Sequence, residues 1–160
     1  MAKPISVFKN EEQFLACAKD WQHKLFLDNW NIEFKLTNDC LKAIDNESDI
    51  ENVLWGFNAF TFENSSAVIT IYNGKVLDTD GNVSKNMAEL TLVHELLHIK
   101  FEYITEEDVV GNMPTIQQAL LHQGVETMAK SLIMTKYNLD YDYFKDNMIV
   151  SSDSMCKVVR

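Results

Sequence analysis

In the stretch LTLVHELLHIKFEY, residues 90–103, His94 and His98 stand four residues apart and Glu95 directly follows the first of them. Positions four apart on an α-helix differ by about 40° around the axis and roughly 6 Å along it. Two imidazoles at that spacing therefore reach one ion. Glu95 lies about 100° round from His94, too far to be an easy third arm but placed to reach a water on the ion. Two nitrogen ligands with an adjacent carboxylate base form the H-E-x-x-H (HExxH) arrangement of metal-assisted hydrolysis. The plainer reading is a core helix with two satisfied histidines. It would bury three polar groups with no evident partner.

A catalytic zinc site takes three protein ligands and keeps one position open. A glycine and histidine continuation just after the second histidine is absent, since Phe101 and Ile104 occupy those places. Cys40, in NDCLK, lacks the glycine-rich motif that accompanies a cysteine ligand to an HExxH zinc in deformylases. His122 and Glu126 remain, again four apart and so on one face of a later helix. Tyr103, His122 and Tyr137 are the candidates for stabilising a developing oxyanion.

The elements that must position these groups are legible in outline. EEQFLACAKDWQHKLFLDNW (residues 11–30) reads as a first helix, with acid at its start and Phe14, Leu15, Ala18, Trp21 and Leu25 near helical spacing. WNIEFKL alternates as a half-buried strand. VLWGFNAFTF and AVITIYN read as an antiparallel pair turned by ENSS, and Gly56 marks a bulge or a close backbone approach. Asp78, Asp80 and Gly81 have the wrong spacing for a calcium loop and read as a turn. Asn86 with Glu89 three residues later signals the start of a second helix, running from Met87 to about Phe101. Pro114 precedes a third helix over residues 115–137, with Ile116, Leu120, Leu121, Val125, Met128 and Leu132 on its apolar face. The expectation is one α+β domain over residues 1–160. Its core spans 11–135, it has a small, mainly antiparallel three-stranded sheet, and residues 139–160 form a tail.

The 160 residues carry a formal charge of −10 with no basic cluster, which argues against nucleic acid or anionic membrane as a partner. The three cysteines, Cys17, Cys40 and Cys156, are widely spaced and form no C-x-x-C pair, so a reducing compartment is expected. MAKPISVFKNEEQ has no apolar leader segment, and no run approaches a membrane span, so the expectation is cytoplasmic.

AVITIYN, MAELTLVHELLHI and HQGVETMAKSL together resemble the compact gluzincin-type zinc metallopeptidases, including ImmA/IrrE-like and SprT-like catalytic domains and proteins of phages and prophages. The resemblance spans roughly residues 11–135, and HExxH is its specific part. It implies a zincin-like fold in which an edge strand flanks the cleft, and a Zn²⁺ ion held by His94, His98 and Glu126. Glu95 is then the general base, and His122 stands beside the ion or assists the transition state. It also implies a peptide or protein substrate, which AVITIYN would bind as an added strand. The chain departs from that group in lacking a cysteine zinc ribbon and a fused helix-turn-helix. Two other readings remain: a catalytically silent, metal-stabilised binding or inhibitory module, and a zinc hydrolase acting on something other than peptides.

Overall fold

Asn10 opens the first helix, α1 (Glu11–Lys24), by accepting a hydrogen bond from the Gln13 amide, while the Gln13 side chain accepts one from the Lys9 amide. The Gln13 amide, one of the orphan donors of the first turn, so finds an acceptor. The structure is a computed structural model that describes residues 2–39, 41–42, 53–54, 56–61, 63–74, 76–77, 83–84, 87–102 and 115–147. The loop read at Asp78–Gly81, Asn86, Tyr103, Cys40 and the tail beyond 147 lie outside them.

α1 stops six residues short of the 11–30 expectation. Phe26 takes a left-handed conformation at φ 56°, and the Leu27 amide donates back to the Gln22 carbonyl, the six-to-one closure of a Schellman turn. The buried Gln22 amide then bonds the Leu27 and Trp30 carbonyls at 3.0 and 2.9 Å. Leu27 and Trp30 are buried by this turn rather than by a longer helix.

The strands are β1 (Asn31–Thr37), β2 (Leu41–Lys42), β3 (Val53–Leu54), β4 (Gly56–Thr61), β5 (Ser66–Tyr72), β6 (Val76–Leu77) and β7 (Val83–Ser84). β2 with β3 and β6 with β7 make two short ribbons. The main sheet has three strands in the order β1-β5-β4. β4 and β5 form the expected hairpin, with Thr61 opposite Ser66. β1 runs parallel to β5, Asn31 facing Ser66, so the sheet is mixed rather than mainly antiparallel. The hairpin returns β5 into the slot between β1 and β4. β5 carries the near-continuous apolar run Ala67, Val68, Ile69, Ile71, which suits a central strand.

That order also corrects the expected docking strand. β5 is paired on both sides, whereas β4, among the described residues, pairs on one side only. β4, not β5, is thus an outer strand.

One face of the sheet presents Ile32, Phe34, Ala67, Ile69 and Ile71, all buried. α1 and α2 (Ala88–Glu102) pack on this side; α3 (Thr115–Tyr137) packs on α2, and α4 (Asp142–Asn147) follows. α2 lies between sheet and helix, which explains its burial on nearly every side. Leu92, Val93, Leu96 and Ile99 are fully buried, each contributing about 1.5–3 kcal/mol by removal from water. The start of α2 is capped from afar: the Ala88 and Glu89 amides donate to the Ser6 and Ile5 carbonyls. Glu89, the expected partner of the Asn86 cap, is bonded among the described residues to other donors. It is fully buried, accepting from the Ile5 amide, Trp21 Nε1, Lys136 Nζ and Tyr137 OH. No helix among the described residues is long and apolar enough to cross a membrane.

Candidate metal centre

α2 brings His94, Glu95 and His98 to the middle of its length, buried to 8%, 4% and 3% exposure. Buried polar groups at this depth need partners, and each has one. The two histidine Nε2 atoms face each other at 3.0 Å. His122 arrives from α3, its ring centroid 4.8 Å from that of His94 and 5.7 Å from that of His98. One ligand atom from each of the three histidines lies within 4.8 Å of the others.

The donor set fits zinc. Zn–N bonds of about 2.0–2.1 Å in a tetrahedron separate neighbouring nitrogens by roughly 3.3 Å, and three imidazoles are a known catalytic zinc set. The Nε2–Nε2 separation of 3.0 Å is close to this. Imidazole also suits copper, iron and nickel, so the donors narrow the ion without naming it.

Glu126 is placed differently from the expectation. Its Oε2 lies 2.9 Å from His94 Nδ1, and its Oε1 lies 2.9 Å from Lys130 Nζ. A group on Nδ1 stands behind the ring, away from an ion at Nε2. The physical reason is the helix rise: four residues separate His122 and Glu126 by roughly 6 Å along α3. The same face then delivers one side chain to the histidine pair and the other to the back of His94. Burial alone would raise the Glu126 carboxyl, but hydrogen bonds from His94 and Lys130 outweigh it and bring the pKa down to about 2. An ionised carboxylate only accepts. His94 Nδ1–H is therefore the donor to Glu126, and Nε2 is the nitrogen that faces His98.

Glu95 meets the outer strand β4. Asn58 Nδ2 donates to Glu95 Oε2 at 2.6 Å and lies 3.4 Å from the Glu95 carbonyl. A Cβ on Gly56 would stand 2.6 Å from Thr91 Cγ2 and 2.8 Å from Glu95 Oε1, so this glycine marks a close approach of strand to helix.

Tyr137 is not at this centre. Its hydroxyl donates to Glu89 at 2.7 Å, near the start of α2, fifteen residues and roughly 22 Å along α3 from His122. Asn58 went unread in the sequence. The only signal for it is one amide on the inward row of a strand whose neighbours across the sheet, Ile69 and Ile71, are apolar. None of the family models, curated proteins or solved structures compared with the chain matches it.

Proposed function

We propose that the protein is a zinc-dependent peptide hydrolase of zincin-like design, with the ion held by His94, His98 and His122. The observation that carries this reading is the convergence of these three histidines from two helices, with Glu95 adjoining them. When bound, zinc supplies Lewis acidity towards a carbonyl and an acidified water. Glu95 would serve as the general base, accepting a proton from the attacking water and returning it to the leaving amine. Glu126 holds His94 by Nδ1 and keeps Nε2 turned to the ion, while Lys130 holds Glu126.

A peptide is favoured over other hydrolysable substrates by the position of β4. Among the described residues it is an outer strand of the sheet, and it touches Glu95 through Gly56 and Asn58. An extended chain pairing with that edge would lie beside the base, held by main-chain bonds with little side-chain preference.

The test is to purify the protein with zinc, count zinc per chain, and assay an unfolded protein such as casein. The wild type is expected to bind one zinc and cleave. Glu95→Gln should keep the zinc and lose cleavage. Absence of zinc in the wild type refutes the reading. Zinc without cleavage of any peptide would favour a metal-stabilised binding module.

A further inference from the structure

We infer that Asn58 is a positioning residue that fixes the Glu95 carboxylate, with Gly56 providing the clearance; the inference rests on the hydrolase reading above. Asn58 sits on the row of β4 that faces α2, in register with the fully buried Ile69. An amide in that row costs free energy unless it is hydrogen-bonded. Its Nδ2 is spent on Glu95 Oε2 at 2.6 Å, across 37 residues of sequence. On the other side of the same carboxylate, the missing side chain of Gly56 leaves Oε1 and Cγ where a Cβ would approach to 2.8 and 2.9 Å.

Glutamate has three side-chain torsions, and its carboxylate swings freely unless something holds it. The donor on one flank and the bare backbone on the other set the plane of the carboxylate relative to His94 and His98. A general base acts only within hydrogen-bond reach of the proton it takes, and displacement by about 1 Å costs on the order of a hundredfold in rate. Asn58 acts through Glu95, so its removal should slow turnover without weakening substrate binding or zinc binding.

The experiment uses zinc-loaded protein and a quenched-fluorescent peptide, comparing wild type, Asn58→Leu, Gly56→Ala and Glu95→Gln. Asn58→Leu keeps the size and removes the donor. Its kcat is expected to fall roughly ten- to hundredfold, with KM changed by less than about twofold and zinc per chain unchanged. Gly56→Ala pushes the carboxylate from the other flank and should show the same split. A raised KM at unchanged kcat would put Asn58 on the substrate, and unchanged kinetics would leave it no role; either result overturns the inference. A second readout needs no turnover: the side-chain amide resonances of Asn58 should shift on Glu95→Ala. Unmoved resonances overturn the contact even if Asn58→Leu fails to fold. Full activity in Glu95→Gln, by contrast, would overturn the hydrolase reading itself, whatever the Asn58 amide does.

Discussion

His122 and Glu126 differ in role because they differ by one helical turn. The first lies beside both rings of the histidine pair, and the second bonds His94 Nδ1 at 2.9 Å. A carboxylate on the distal nitrogen fixes the ring and raises its basicity, and losing such a partner typically costs ten- to a hundredfold in metal affinity. Glu126→Gln is therefore expected to weaken zinc by about that factor in a chelator competition. His122→Ala, which removes a proposed ligand, should weaken it further. The reverse order would hand the ligand role to Glu126. Lys130→Met should lie between wild type and Glu126→Gln, because it frees Glu126 from one of its two partners without touching His94.

The helix that carries the motif is held at its start by a segment far away in sequence. Ile5 and Ser6 accept from the first amides of α2, Phe8 is pinned through both its amide and its carbonyl by Asn73, and its ring is buried against Phe14. Phe8→Ala should therefore cost about 3–5 kcal/mol in urea unfolding. Loss of less than about 1 kcal/mol would mean that the segment is not anchored as described. At the other end of α1, Phe26 occupies a left-handed position that glycine prefers, and its side chain is 80% exposed. Phe26→Gly removes the strain and little burial, so it should raise stability by about 1 kcal/mol. These two effects sit at opposite ends of one helix and share no contact, so the double variant should show their sum.

Across the whole molecule, what the sequence makes legible is what is local. His94, Glu95 and His98 share one turn of one helix, so spacing alone aligns them; α3 and the β4–β5 hairpin likewise declare themselves by period and turn residues. Which α3 side chain meets the histidine pair depends on how far that helix slides along α2, and one turn separates His122 from Glu126. The slot taken by β5, and hence which strands lie outermost, is also a long-range choice, as is the closure of α2 by Ile5 and Ser6. Glu89 is the clearest case: it reads as a helix cap, yet it joins the N-terminal segment, α1, α2 and α3 through four donors. That junction makes a whole-molecule prediction. Burial acts to raise the Glu89 carboxyl, but the bonds from Lys136, Ile5, Tyr137 and Trp21 overrule it and hold it below its ordinary 4.5. The folded state therefore binds this proton less readily than the unfolded chain does. The stability it contributes is complete above the unfolded value and is lost as pH falls through the lower, folded one. Urea midpoints should drop as pH is taken from about 5 towards 3. Glu89→Gln should begin about 3 kcal/mol less stable at neutral pH, because it takes the nearer carboxylate from the Lys136 ammonium and leaves it only Asp20 at 3.4 Å. Its acid slope should be shallower than that of the wild type, while the other carboxylates titrate equally in both. Parallel slopes would mean that Glu89 is not charged in the folded protein, and that the four elements are joined by packing alone.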